Sequence, residues 1–187
     1  MENRFRTVID SSYINDPAHS IRWQKSIAFL NRSSFSRFTI SKGLDLGDRT
    51  PFTDLLEHSF GFPLDNTTGD LDLALLEGSF GVVTAFEVLE HLYNPLHALL
   101  EVRQVLKGDG ARLFVSMPLR KPSFLASPDH FHEMSRQSAL SLFKRAGFSV
   151  VRSEEFRIRP LLFYLTGVKP LLRALFEKVQ IYELAAQ

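Results

Sequence analysis

The stretch from Phe80 to Pro118 places acidic and imidazole side chains between two apolar runs. Glu87 stands where the first run ends, and Glu90 and His91 follow one turn later. Such groups can bind ligands and transfer protons. The stretch has the pattern of a strand, a helix and a second strand, which is typical of parallel sheets. Ligands bind outside the carboxyl ends of strands in open α/β sheets, so the pattern predicts one edge of a site.

A second group of candidates lies in the segment HFHE, where His130 and His132 flank Phe131. A neutral imidazole there can accept a proton from a hydroxyl or an amine. If the segment is extended, the spacing puts both rings on one side. No metal is expected, because the sequence shows no third or fourth ligand beside His-x-His-Glu. A purely structural role for the two histidines stays open.

Composition limits the class of protein. The 187 residues suffice for one domain, and a formal net charge of +1 predicts no nucleic-acid partner. Cysteine is absent, which excludes disulfides and thiolate metal sites and favours a cytoplasmic location. The first residues lack the apolar core of a signal peptide, and no apolar run reaches the roughly 18 residues of a membrane span. The 17 phenylalanines indicate core packing or an aromatic pocket.

Periodicity and capping residues predict alternating helices and strands within one domain, residues 1–187. Thr50 before Pro51, Asn94 before Pro95, and Ser135 are typical helix N-caps. Four helices are predicted in these parts of the chain. The first is Ile21–Asn31, within an N-terminal helical cap (residues 1–40), and the second is Pro51–Ser59. The third begins at Pro95 and is stopped by Gly108, with Leu96, Leu99, Leu100 and Leu106 buried, and the fourth follows Ser135 and ends at Gly147. The predicted strands are a short one at Leu44–Leu46, one ending at Asp70, Phe80–Phe86, Arg112–Met117, Phe148–Ile158 and a terminal strand at 178–186.

An apolar and basic insert occupies residues 160–177, and Gly167 and Pro170 divide it into two short helices. A lid over a substrate site or core packing is the favoured interpretation. Contact with a second copy of the chain in a homodimer, and contact with a membrane surface, are the alternatives.

Four stretches in order resemble the class I S-adenosylmethionine-dependent methyltransferases, especially the methyltransferase-11-like proteins. LDLG (Leu44–Gly47) resembles the first-strand motif, and FGVVTAFEVLEHL the fourth-strand motif, normally written with FD. LKGDGARLFVSMP is similar to the turn and fifth strand, and His130–Val150 to the segment before the sixth strand. The resemblance implies a three-layer Rossmann-like α/β fold whose mostly parallel sheet carries an antiparallel C-terminal strand.

The same resemblance implies methyl transfer from S-adenosylmethionine to a small-molecule or glycan acceptor. Its catalytic candidates are His132, His91 and His130. The residues that it assigns to the cofactor are Asp45, Leu46, Gly47, Asp48, Asp70, Asp72, Phe86, Glu87 and His91.

Two departures from the family pattern concern cofactor binding. Arg49 and Pro51 replace the second and third glycines of the first motif. In one interpretation the Arg49 side chain turns away and the following helix N-terminus still receives a carboxylate. In the other, the cofactor site is eroded and the chain is a binding or assembly module.

The second departure is a compression between the family's second and fourth strands. Only four residues separate Asp65 from Asp70, where the family usually places a helix. An acid at the end of the second strand would accept both ribose hydroxyls. Asp70 is the first choice for that role, then Asp72, then Asp65, and a turn-forming role is the alternative for each.

Overall fold

The chain folds into a mixed α/β structure in which helices cover both faces of a six-stranded sheet. A computed structural model describes residues 17–35, 40–127 and 129–187. The strands are β1 Gly43–Asp45, β2 Leu64–Asn66, β3 Val82–Phe86, β4 Arg112–Pro118, β5 Phe148–Phe156 and β6 Val179–Ala186. The helices are α1 Pro17–Asn31, α2 Pro51–Phe60, α3 Pro95–Val105, α4 Arg136–Arg145 and α5 Val168–Phe176. Turns of 3-10 helix lie at Leu89–His91, Ser123–Leu125 and Leu161–Leu165.

The strand order is β2-β1-β3-β4-β6-β5. The first four of these strands are parallel, whereas β6 runs antiparallel to both β4 and β5. The predicted parallel unit and the predicted antiparallel C-terminal strand are therefore confirmed.

Two apolar cores hold the three layers together. One lies under α1 and α2 and includes Phe29, Leu56 and Phe114. The other lies under α3 and α4 and includes Leu99 and Phe143. Residues 82–85 of β3 are fully buried because both faces of that strand are covered, as its continuous apolar sequence predicts.

Local capping signals fix the helix starts. Thr50, Asn94 and Ser135 each accept hydrogen bonds from first-turn backbone amides, as predicted. The ends are less regular: α3 stops at Val105, before Gly108. The prediction that Leu100 is buried is wrong, because this residue lies one position around the helix from the buried Leu99 and is 39% exposed.

The compression after β2 is confirmed. Residues 67–79, all of them described, form no helix or strand. The prediction that the second strand ends at Asp70 is wrong, because β2 pairs with β1 only from Leu64 to Asn66. β1 ends there, so the chain beyond has no partner strand and turns at Asp70 instead.

The insert at residues 160–177 forms a 3-10 turn and α5, in agreement with two short helices. It connects β5 to β6 at the edge where β4 ends, since Val179 pairs with both Pro118 and Phe156. Residues 1–16 and 36–39 of the predicted N-terminal cap lie outside the described part of the chain. None of the helices in the described ranges has both the length and the apolar character needed to cross a bilayer.

Candidate active site

The carboxyl ends of β1 and β3 lie side by side at one edge of the sheet. Asp45 ends β1 in register with Thr84 of β3, two residues before Phe86 ends that strand. Ser116 of β4 lies opposite Phe86 on the other side. Most of the predicted site residues therefore gather where ligands bind in open α/β sheets.

Asp45 is buried beneath the loop that follows β1. It is only 7% exposed. Its carboxylate accepts hydrogen bonds from Thr53 Oγ1 at 2.7 Å and Thr84 Oγ1 at 2.6 Å. Burial raises the pKa of Asp45 to about 6, although both hydroxyls favour the charged form. Asp45 therefore ties β1, β3 and α2 together and fixes the start of the loop.

The loop after β1 leaves open space above Gly47. This residue has a φ of +98°, and a Cβ added to it would meet no described atom within 4 Å. The Arg49 guanidinium turns along α2 to Asp54 and Glu57, each at 2.6 Å. Neither this side chain nor the Pro51 ring fills the space, so backbone can approach a ligand here.

The N-terminus of α2 is already satisfied by its own cap. Pro51 has no N–H, and the amides of Phe52 and Thr53 donate to Thr50 Oγ1 at 3.2 and 3.4 Å. The amide of Thr50 in turn donates to Thr53 Oγ1 at 3.1 Å. The expectation that this helix end receives a carboxylate is not supported, because a capping box already occupies these donors.

Asn66, not an aspartate, ends β2 at the site edge. Its amide donates to Gly47 O at 3.3 Å, and the following Thr67 accepts from Gly47 N at 2.7 Å. These contacts hold the loop after β1 in place from the side of β2.

The three candidate ribose acids have other partners. Asp65 pairs with Lys42 on the surface at 2.6 Å. Asp72 accepts from the amides of Tyr93 and Asn94 at 3.0 and 2.6 Å, which anchors the start of α3. Asp70 accepts from Asp72 N at 2.9 Å in a local turn. Contact of any of them with a ribose stays a prediction.

Glu87 follows β3 in the left-handed region, with a φ of +56°. A non-glycine residue is rarely found there, and such strain is common at ligand sites. Its carboxylate forms an ion pair with Arg22 of α1 and accepts from Ser116 Oγ at 2.8 Å. Arg22 also contacts His19 at 2.7 Å. Sequence reasoning missed Arg22, and no local pattern distinguishes it from other basic residues of a helix.

Aromatic rings form one wall beside Glu87. Phe86 packs edge-to-face on Phe52, with centroids 5.3 Å apart, and Trp23 stacks on Phe52 at 5.6 Å. Part of the phenylalanine excess thus belongs to the apolar layer under α1 and α2, adjoining the site edge.

Buried Glu90 and the half-buried His91 and His130 form a cluster next to Glu87. The backbone carbonyl of Glu90 accepts from Phe131 N at 2.8 Å, which brings the HFHE segment onto the 3-10 turn at Leu89–His91. The rings of His91 and His130 meet edge-to-face at 4.9 Å. Burial, reinforced by the Glu87 carboxylate, raises the pKa of Glu90 well above its ordinary value.

Both rings of this cluster use Nδ1 for a hydrogen bond. His91 Nδ1 lies 2.9 Å from the backbone carbonyl of Asp129, and His130 Nδ1 lies 2.9 Å from Glu133 Oε1. A carbonyl can only accept, so Nδ1 of His91 carries the proton and Nε2 keeps a lone pair. Burial lowers the pKa of His91, which favours this neutral form.

His132 has a different environment from its neighbour His130. Its Nε2 lies 3.2 Å from the backbone carbonyl of Tyr93, whose ring stacks on Phe131 at 4.2 Å. The structure therefore brings His91 and His130 together and gives His132 a separate partner. A catalytic role for any of the three stays a prediction.

A family profile described as a methyltransferase domain matches residues 9–153. The chain belongs to the class I S-adenosylmethionine-dependent methyltransferase family. No curated protein matches its sequence.

Solved structures share the fold of this chain. A chain from the complex of the Haloferax volcanii Trm112 methyltransferase activator with a methyltransferase aligns with a TM-score of 0.62 and 15% identity, covering 97% of this chain and 99% of that one. An S-adenosylmethionine-dependent methyltransferase from Mesorhizobium loti aligns with a TM-score of 0.61 and 15% identity, covering 88% of this chain and 97% of that one. The [4+2]-cyclase SpnF aligns with a TM-score of 0.57 and 15% identity, covering 89% of this chain and 81% of that one. At these identities the likeness concerns the fold alone.

Proposed function

We propose that this chain transfers a methyl group from S-adenosylmethionine to a small-molecule or glycan acceptor. The observation that carries the proposal is the open space at Gly47, which follows the carboxyl end of β1 where β1 pairs with β3. The cofactor supplies an electrophilic methyl group on a sulfonium, so the protein contributes mainly positioning.

The first-motif loop and the end of β3 would hold this cofactor. Leu46, Gly47 and Asp48 offer backbone next to the open space, and buried Asp45 keeps that loop in place. Phe86 and Glu87 offer an aromatic wall and a carboxylate at the end of β3.

Arg22 and Glu87 carry the charges that complement an amino acid zwitterion. The carboxylate of Glu87 suits an ammonium group, and the guanidinium of Arg22 suits a carboxylate. In this proposal Arg22 binds the carboxylate of the cofactor, which the capped N-terminus of α2 is not free to receive. Asp70 remains our first candidate for the ribose, with Asp72 second.

His132, His91 and His130 are the proposed catalytic residues, since an imidazole at this edge can accept a proton from an acceptor hydroxyl or amine. His132 is the first candidate, because His91 and His130 could act as bases only while no metal ion occupies their free ring nitrogens. The insert at residues 160–177 is the proposed lid, because it leaves the sheet at the same edge. A cytoplasmic location, a homodimer and the absence of a nucleic-acid partner remain predictions, as does contact of the insert with a membrane surface.

Calorimetric titration with S-adenosylmethionine and with its demethylated product tests the proposal. Binding is expected for both, and Glu87→Gln should weaken it about tenfold, the loss of one charged hydrogen bond. Arg49→Ala is the matched control, because that side chain points along α2 to Asp54 and Glu57. Failure of a folded protein to bind either ligand at millimolar concentration would overturn the proposal.

Three observations favour a second candidate, a binding or assembly module without methyl transfer. The amides of α2 are occupied, β2 ends in Asn66, and the Glu87 carboxylate is already paired with Arg22. In this alternative the folded chain binds neither ligand in the same titration.

A further inference from the structure

The buried carboxylate of Glu90 lacks the partners that a buried acid normally has. Its side chain is 0% exposed, and among the described residues neither oxygen has a hydrogen-bond partner apart from its own backbone amide. Burying a carboxyl group without partners costs free energy, so buried charges are usually paired or coordinate metals. Glu90 therefore points to a ligand.

Two histidines complete a set of potential metal ligands around this carboxylate. One carboxylate oxygen of Glu90 and one ring nitrogen each of His91 and His130 lie within 4.8 Å of one another. We propose that Glu90, His91 and His130 bind a divalent transition-metal ion of the zinc class.

The donor set selects the class of ion. Two imidazoles and one carboxylate suit zinc and its neighbours, whereas calcium and magnesium prefer oxygen ligands alone. In a tetrahedral site with bonds of roughly 2.1 Å, the ligands lie roughly 3.4 Å apart. The candidate atoms of the cluster lie within 4.8 Å of one another, so the three side chains must draw together to bind an ion.

Outer hydrogen bonds orient both rings as ligands. His130 Nδ1 faces Glu133, and His91 Nδ1 faces the carbonyl of Asp129, which leaves Nε2 of each ring for a metal. Glu133 is itself held by Lys121 Nζ at 3.0 Å.

The proposed site could not be recognised in the sequence because its ligands come from two segments of the chain. The expectation that no metal binds rested on the motif His-x-His-Glu, read as one contiguous group. The cluster in the structure includes His130 but neither His132 nor Glu133, and its other members, Glu90 and His91, lie about forty positions earlier in the chain. Sequence spacing alone does not show this juxtaposition.

The place of the metal suggests what it would bind. Three protein ligands leave one position of a tetrahedral ion for water or for an oxygen atom of an acceptor. Because the Glu87 charge acts on Glu90, the metal would lie near the proposed cofactor edge. This consequence rests on the proposed function, whereas the metal site itself does not.

The test is metal binding by the full chain without cofactor. Protein treated with a chelator and then freed of it is titrated with Zn²⁺ by calorimetry and with Co²⁺ by visible absorption. We expect one ion per chain and the intense bands of tetrahedral Co²⁺. His91→Ala, His130→Ala and Glu90→Gln should abolish the bands, and Glu133→Gln should weaken binding about tenfold.

His132→Ala is the matched control for metal binding, because that ring faces the Tyr93 carbonyl outside the cluster. Circular dichroism checks that each variant folds. The proposal is overturned if the wild type binds no ion, if His130→Ala binds as tightly as the wild type, or if His132→Ala loses as much affinity as His130→Ala. Cofactor titrations in the presence of chelator are read separately, so failure of one proposal leaves the other intact.

Discussion

Arg22 of α1 forms an ion pair with Glu87 at the end of β3, 65 positions away in the chain. The two side chains are only 10% and 15% exposed. The pair anchors α1 over the site edge and holds a carboxylate that the proposed cofactor would meet. It therefore links the stability of the N-terminal helix to the function of the site.

Arg22→Gln is expected to destabilise the fold by about 3 kcal/mol, because it leaves a largely buried carboxylate without its counter-charge. Arg32→Gln is the matched control, since Arg32 pairs with Glu154 at the surface, where the side chains are 56% and 41% exposed. Arg32→Gln should change the free energy of unfolding by no more than about 0.5 kcal/mol. Urea unfolding measures both, and equal losses would contradict a structural role for the inner pair.

The contribution of Asp45 to the free energy of unfolding should decrease as pH rises. Its pKa is about 6 in the folded chain against an ordinary value of 3.8, so folding favours the protonated form. That stabilisation is complete below the ordinary pKa and is lost as pH rises through about 6, a change of about 3 kcal/mol.

Asp45→Asn removes this titration. Urea unfolding of both proteins from about one pH unit below the ordinary pKa of 3.8 to about one unit above the folded pKa of about 6 measures the difference in free energy of unfolding. As pH rises across this window, the free energy of unfolding of the variant should increase relative to that of the wild type. Parallel curves would show that Asp45 titrates normally.

Two buried glutamates should respond in opposite directions to replacement by methionine. Among the described residues the Glu90 carboxylate has no hydrogen-bond partner beyond its own amide, so Glu90→Met should raise the free energy of unfolding of the metal-free protein by about 1 to 3 kcal/mol. Glu101 accepts from Leu76 N and Gln104 Nε2, both at 3.0 Å, so Glu101→Met should lower it by a similar amount.

Thermal or urea unfolding in the presence of chelator measures this contrast. The same Glu90→Met variant should lose metal binding, so gain of stability and loss of the ligand would occur together. A destabilised Glu90→Met protein would show that the carboxyl group has a structural partner.

Asp70 and Asp72 can be separated by what each replacement changes. Asp72 accepts from two backbone amides before α3, so Asp72→Ala should cost about 1 to 2 kcal/mol of stability. Within the described residues the Asp70 side chain accepts one hydrogen bond, from Asp72 N, so Asp70→Ala should mainly weaken binding of S-adenosylmethionine if Asp70 meets the ribose. Unchanged affinity in Asp70→Ala would remove it as the ribose acid.

The elements of the fold could be predicted because their signals are local. Thr50 with Pro51 and Asn94 with Pro95 specify helix starts through contacts within one turn. The apolar run that ends at Phe86 specifies a strand buried on both faces. The family likeness then supplied the mostly parallel sheet with its antiparallel C-terminal strand, whereas the strand order came from the structure.

The sequence alone determined the caps, the buried central strand and the presence of Glu87 and His91 at the end of β3. Only the tertiary structure decided that β2 ends at Asn66, because the length of a strand depends on its partner, here the short β1. It also decided that Arg22 reaches Glu87 and that His130 joins Glu90 and His91. These groups are distant in sequence, and their meeting depends on how whole helices and strands pack, which no local pattern records.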